Sequence, residues 1–185
     1  MARLNEFMIK ADLTPIVEYC REYGSFTRYA KGDCLVTEGS VCRKVALVRQ
    51  GYFKYATIDS SGNERITAFG FENEVVTDFV RSMQFGKTAL TSIVAGCDSE
   101  VLEVPMYDLK AYLTEHNPEF IARLATHALE EAYTRYLLMH TLTPVERYRV
   151  FYPRLLHVID KIPMRELASF LAVSRRQFQR IRSQV

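Results

Sequence analysis

Apolar and polar positions divide the chain into three stretches. From about Leu4 to Tyr23, apolar residues such as Phe7, Ile16, Val17 and Tyr19 predict helix, with Pro15 near a turn. From Ser25 to Val104 the apolar runs are short: 34–36, 45–48, 52–58, 65–69, 90–95 and 101–104. Polar, glycine-bearing turns separate them at Lys31-Gly32-Asp33, Glu38-Gly39-Ser40, Gln50-Gly51 and between Asp59 and Asn63. Many short strands at near-regular spacing predict a β-roll or barrel, closed so as to hide its edges. Glycine suits the corners because tight turns demand backbone angles that other residues avoid.

Helical patterning takes over after Val104. A short helix is expected over 106–115, closed by His116-Asn117-Pro118, and a longer one over 118–139, with proline tolerated in its first turn. Ile121, Ala125, Ala128, Ala132 and Met139 form a narrow stripe along the longer helix, small in the middle. That stripe suits close approach of a second helix or packing on the chain's own roll, and the sequence leaves both open. Pro144 opens a further helix, which Pro153 is expected to end or bend.

The residues from Ile162 to Val185 read as two short helices joined by a small-residue turn. In the first, Leu167, Phe170 and Leu171 make an apolar stripe, and Ala168 is small where two helices must cross. Ser174 is placed to cap the second by accepting a bond from a first-turn amide. At about 100° per residue, Phe178, Ile181 and Val185 fall within roughly 60° of one another. Arg175, Arg176, Gln179, Arg180, Arg182 and Ser183 fill the opposite side. Four arginines with no interspersed acid gain no pairing within the helix, and their planar forks match guanine edges and phosphates. The arrangement is that of a helix-turn-helix, whose second helix enters a DNA major groove. A helical hairpin with a solvated basic face is the plainer alternative.

Charge placement agrees. The 185 residues carry a net +2, but from Thr141 onward nine Lys/Arg stand against three Asp/Glu, a net of +6 that leaves −4 for the first 140. An acidic body with a basic terminal unit confines the expected nucleic-acid contact to the end of the chain. The length suits one domain of ordinary size plus a small one. Arg3, Glu6, Lys10 and Asp12 interrupt any apolar export signal, and no run approaches the roughly 20 apolar residues of a membrane span. Cys20, Cys34, Cys42 and Cys97 are scattered, without zinc or thioredoxin spacing. A cytoplasmic protein with reduced thiols and no membrane partner is expected.

Enzymatic chemistry finds little footing. A metal-dependent enzyme on a β-roll needs several barrel histidines, yet residues 1–115 contain none; His116, His127, His140 and His157 fall on helices. There is no G-x-S-x-G elbow, P-loop or plausible catalytic carboxylate pair. Catalytic residues, metal ligands and cofactors are therefore all expected to be absent.

Taken in order, Lys31-Gly32-Asp33, Glu38-Gly39, Gln50-Gly51, Ser61-Gly62-Asn63-Glu64, the Ser99–Val104 strand before a helix and Thr143-Pro144-Val145-Glu146-Arg147-Tyr148 form a pattern. Nearly the whole chain resembles the bacterial transcription-factor superfamily of the cyclic-AMP receptor protein and the fumarate-nitrate regulator. The resemblance implies an α+β fold. It assigns 1–117 to an N-terminal helix and a double-stranded β-helix, or jelly-roll, sensor of the cyclic-nucleotide-binding kind. A long dimerisation helix would span 118–140, and a helix-turn-helix 141–185. It further implies a homodimer on a palindromic double-stranded DNA operator, a small-molecule effector and RNA polymerase as partner.

Aligning the recognition helix places the base-reading positions on Arg175, Arg176 and Arg180, with Ser174, Gln177, Gln179 and Arg182 completing the DNA-facing set. Arg176 departs from the family, where that position is commonly acidic, so the operator sequence does not carry over. Ala172 stands where a turn glycine is frequent. Eleven residues follow Ser174, leaving no sequence here for a wing. In nucleotide-binding relatives a Gly-Glu pair opens a short helix and a later Arg-Ser/Thr pair holds the cyclic phosphate. Here Asn73-Glu74-Val75 occupies the first place and Ala89-Leu90 the second, with an insertion of about four residues between them. Neither aligned side chain at the second place neutralises a phosphate, and an unpaired buried anion is costly. Arg81 and Lys87 read as solvated loop charges. The pocket expected at Asn73, Glu74, Val75, Ala89 and Leu90 should therefore take an effector other than cyclic AMP, or none. An iron–sulfur cluster lacks its clustered N-terminal cysteines, and haem lacks an early histidine. A module of the same fold that binds a ligand or partner and has lost DNA binding is the alternative function.

Overall fold

A computed structural model of the chain describes residues 4–183. The N-terminal helical stretch is two helices, α1 (Glu6–Lys10) and α2 (Thr14–Tyr23). The break falls at Asp12, which adopts a left-handed φ of 53° and whose carboxylate accepts bonds from the Thr14 amide and hydroxyl. Pro15 sits in the first turn of α2, where its missing N–H goes unused.

The strands are β1 (Ser25–Tyr29), β2 (Cys34–Val36), β3 (Lys44–Gln50), β4 (Tyr52–Ile58), β5 (Glu64–Phe71), β6 (Val75–Val76), β7 (Ser92–Ala95) and β8 (Ser99–Pro105). They form two antiparallel four-stranded sheets, ordered β1-β8-β3-β6 and β2-β7-β4-β5. This is the expected jelly-roll, an α+β architecture, but the sheets are open rather than closed into a barrel. β5 lies at an edge. Between the sheets, Val45–Val48, Phe53, Ile93, Val101 and Val104 make the roll's core.

Three elements escaped the sequence pattern. β1 (SFTRY) buries only its last residue and so lacks a clear alternation. β6 is two residues long. Phe79–Gln84 form a π-helical segment capped by Asp78, whose carboxylate accepts from the Arg81 and Ser82 amides. The run at 90–95 begins instead at Ser92, leaving Leu90 exposed.

After the roll come α3 (Met106–His116), α4 (Phe120–Thr141), α5 (Pro144–Leu155), a 3-10 turn (Ile159–Lys161), α6 (Met164–Phe170) and α7 (Arg175–Arg182). Pro153 does not end α5, which continues to Leu155. Proline lacks the N–H that would bond the Arg149 carbonyl, but only two helical residues follow it, so little of α5 lies beyond the interruption. A second core unites Tyr52, Ile66, Phe69 and Phe71 of the roll with Phe151, Phe170 and Phe178 of the terminal helices. Among the described residues no helix is long and apolar enough to cross a membrane.

Along α4 the small-residue stripe runs from a buried Ile121 to an exposed Ala132 on the side facing the roll. Ile121 is buried, and Ala128, Ala132 and Met139 line a cavity shared with the roll. Leu129, Tyr133 and Tyr136 are instead well exposed.

Candidate nucleic-acid interface

α5, α6 and α7 form the terminal unit. Thr143 and Glu146 close the start of α5 with a capping box, which fixes where the helix begins after α4. α6 and α7 meet through Leu167, Ala168, Leu171, Phe178 and Ile181, all buried. Phe178 also sits edge-on to Tyr148 of α5, with ring centres 5.7 Å apart. Val185, expected on this apolar face, lies outside the described residues.

The turn between α6 and α7 passes through Ala172 with a left-handed φ of 54°. That conformation explains why glycine is frequent here in the resembled family. Ser174 then caps α7: its Oγ accepts from the Gln177 amide at 3.2 Å, and Gln177 Oε1 accepts from the Ser174 amide at 3.0 Å. Two of the seven DNA-facing residues thus serve the helix start. Arg175, Arg176, Gln179, Arg180 and Arg182 are exposed. Among the described residues, none of the four arginines is paired with a carboxylate. The face is a guanidinium surface open to an anion.

The unit is docked on the roll by contacts absent from the sequence reading. Glu166 of α6 is buried, its Oε1 3.2 Å from Lys54 Nζ and its Oε2 accepting from the Tyr52 hydroxyl at 2.9 Å. Lys54 also pairs with Glu64 at 2.8 Å. Ser169 Oγ accepts from the Ile66 amide and donates to the Glu64 carbonyl, satisfying exposed backbone groups of edge strand β5. Arg135 of α4 donates to the Thr67 carbonyl and lies over the Phe170 ring. A signal did exist: Glu166 and Phe170 are four apart and share a helix face. Acids on such a stripe, however, usually point to solvent.

Of the residues expected at an effector pocket, Asn73, Glu74 and Val75 share one hollow, which Ala89 and Leu90 do not line. Asn73 has a left-handed φ of 65°, as a glycine substitute should, and Glu74 Oε2 accepts from Asn5 Nδ2 and the Phe71 amide. Val75 pairs with Leu47 in the sheet. Ala89 is buried, its amide and carbonyl bonded to Ser40 and Gly39, while Leu90 is 64% exposed. Asn73, Glu74 and Val75 border a small hollow beside α1 and α2 that Ala89 and Leu90 do not reach. The π-helical segment and the loop after it lie between the two sets along the chain. Arg81 there donates to the Thr88 carbonyl.

A larger cavity of about 820 Å³ lies elsewhere, between β5, the π-helical segment, α4 and α6. Its walls include Phe79, Ala128, Met139 and Phe170. No sequence motif marks it, because distant elements each contribute a few apolar residues.

Burial is the main cause of the shifts at Cys20, Tyr52 and Arg135. It pushes the Cys20 thiol up to about 12. Burial, then the hydrogen bond to Glu166, raises the Tyr52 phenol. Desolvation lowers Arg135 against the support of Glu131. Among the described residues no cluster of three His, Cys, Asp or Glu is placed to hold a metal ion.

Residues 26–116 match the cyclic nucleotide-binding domain family. No curated protein matches the chain in sequence. Among solved structures, FixK2 from Bradyrhizobium japonicum is 20% identical with a TM-score of 0.72, over 87% of this chain and 83% of its own. CLP, the c-di-GMP responsive global regulator of Xanthomonas campestris, is 15% identical with a TM-score of 0.65, covering 94% and 91%. The catabolite activator protein of Thermus thermophilus is 23% identical with a TM-score of 0.55, covering 91% and 81%. These likenesses show a common fold: a cyclic nucleotide-binding jelly-roll followed by a long helix and a compact helical unit.

Proposed function

From a chain with the cyclic nucleotide-binding fold over residues 26–116 and the overall architecture of FixK2, CLP and the catabolite activator protein, we infer a cytoplasmic, dimeric, DNA-binding transcriptional regulator. Residues 1–117 are its sensor, 118–140 its dimerisation helix and 141–185 its DNA-binding unit. The observation that carries this reading is α7: Phe178 and Ile181 are buried beneath it while its arginines face outward with no carboxylate partner among the described residues. Such a helix presents Arg175, Arg176 and Arg180 to base edges and Arg182 to phosphate.

A second copy is supported by α4. Leu129, Tyr133, Tyr136 and His140 recur at spacings of four, three and four on its exposed side, the spacing of a coiled-coil seam. Two-fold symmetry makes the operator a palindrome with half-sites about 34 Å apart. RNA polymerase is the partner that a regulator of transcription engages.

The cassette speaks against a cyclic nucleotide as effector. Ala89 and Leu90 offer no cation, and the nearby Arg81 is committed to the Thr88 carbonyl. The 820 Å³ cavity is the better place for an effector, because a molecule there touches the roll, α4 and α6 together and so has differential contact with their arrangements.

The test is titration of the full chain with a pool of genomic duplexes at two salt concentrations. Binding that falls steeply with salt is expected, since phosphate neutralisation releases counterions. Absence of binding at low salt overturns the reading in favour of a ligand- or partner-binding module.

A further inference from the structure

The buried acid of α6 is surplus to a helix-turn-helix, and its surroundings give it a task. Glu166's side chain is 1% exposed and that of Lys54 is 9% exposed. Tyr52 and Lys54 are two apart on β4, so they project from the same face of the strand. Each takes one oxygen of the Glu166 carboxylate. We propose that Glu166 is a positioning residue, clamped by Lys54 and Tyr52, that fixes the recognition helix against the roll and thereby sets the separation of the two recognition helices in the dimer. The second half of that statement rests on the function proposed above; the clamp itself does not.

The physical argument separates adhesion from register. The apolar contacts across the junction, Phe69 on Phe170 and Phe170 on Phe151, supply the adhesion, and apolar faces tolerate sliding. A carboxylate shared between an ammonium and a phenol does not, because both bonds have narrow limits of distance and angle. Buried ion pairs add little net stability over well-packed apolar groups, and their best-attested use is to specify geometry. Ser169, one turn further along α6, bonds the backbone of β5 at Glu64 and Ile66, so a shift of α6 along the sheet breaks the set together. The α6–α7 turn is short and its flanks are packed, which passes the placement of α6 on to α7.

The test uses the full chain and three variants. Glu166→Gln keeps the shape and removes the charge; Lys54→Met with Glu166→Leu replaces the pair by apolar groups; Lys54→Arg keeps it. Hydrogen exchange at the Ile66 amide, which donates to Ser169, reports the junction without DNA. Both charge-removing changes should speed that exchange about tenfold or more while amides between β4 and β7 stay protected, and Lys54→Arg should not. Unchanged exchange in Glu166→Gln and in the double variant overturns the clamp. The second readout is binding to a selected palindrome and to copies with one base pair added or removed at the centre. The parent chain should prefer the native spacing, and the apolar double variant should lose that preference by roughly tenfold, at undiminished affinity for a single half-site. A preference kept in full, or tighter binding to the palindrome in the double variant, overturns the positioning role. Should the parent bind no DNA, the function proposed above fails, and the exchange result alone decides the clamp.

Discussion

At the scale of single residues, the informative positions are those whose backbone or burial contradicts their type. Ala172 holds a left-handed φ of 54°, a conformation that costs an L-residue about 1–2 kcal/mol. Ala172→Gly should therefore stabilise the protein by roughly 1 kcal/mol, seen as a higher denaturant midpoint at unchanged slope; a lower midpoint contradicts the left-handed turn. Arg180→Ala and Arg175→Ala should each reduce discrimination among duplex sequences by about 1–3 kcal/mol, as for a lost bidentate base contact. Arg182→Ala should weaken all sequences alike, and a changed preferred site there contradicts a phosphate role. Cys20 gives a pH prediction with a definite sign. Its folded thiol titrates near 12 against an ordinary 9.0 because burial disfavours the thiolate. The unfolded chain thus loses that proton first, so the contribution is intact below about pH 9 and disappears as pH rises toward 12. Tyr29 and Tyr55, raised mainly by burial, add in the same direction. Denaturant melts between pH 8 and 11 should show falling stability, and a flat profile contradicts the burial.

At the scale of elements, patterns of period and punctuation were legible. α7 was readable from Ser174 to Arg182 because a cap, an apolar stripe and a charged face coincide within ten residues. Ser174→Ala should cost about 1 kcal/mol through the lost cap, measurable as a lower melting temperature. β1, β6 and the π-helical segment were not readable. β1 exposes most of its side chains, β6 is too short for an alternation, and the π turn depends on Asp78 capping two amides. The α4 stripe shows the limit most directly. Small residues at helical spacing fit a partner helix or a wall of the chain's own roll, and the tertiary structure places Ala128, Ala132 and Met139 beside the roll. The adjoining face with Leu129 and Tyr133 is the one proposed above for a second copy. Tyr133→Glu should yield monomers in sedimentation experiments and abolish high-affinity palindrome binding; a dimer of parent affinity removes α4 from the interface.

At the scale of the whole molecule, the roll and the terminal unit share one continuous core through Phe69, Phe71, Phe151 and Phe170. A junction of that kind couples their unfolding. Calorimetry should give a single cooperative transition whose calorimetric and van't Hoff enthalpies agree, and two resolved transitions contradict the shared core. Phe170→Ala, which empties the centre of that junction and enlarges the neighbouring cavity, should cost about 3–5 kcal/mol.

The sequence by itself determined the α+β class, the order roll–long helix–basic hairpin, and the face of α7 that is charged. These follow from local periodicity and from chain composition, which act within a few residues. Tertiary structure alone decided that Asn73–Val75 and Ala89–Leu90 stand apart, that an apolar cavity opens between β5, α4 and α6, and that Glu166 is buried on Lys54 and Tyr52. The last two join residues dozens to more than a hundred positions apart. Their side chains acquire a dielectric surrounding and a hydrogen-bond partner only once the two sheets and the terminal helices have met.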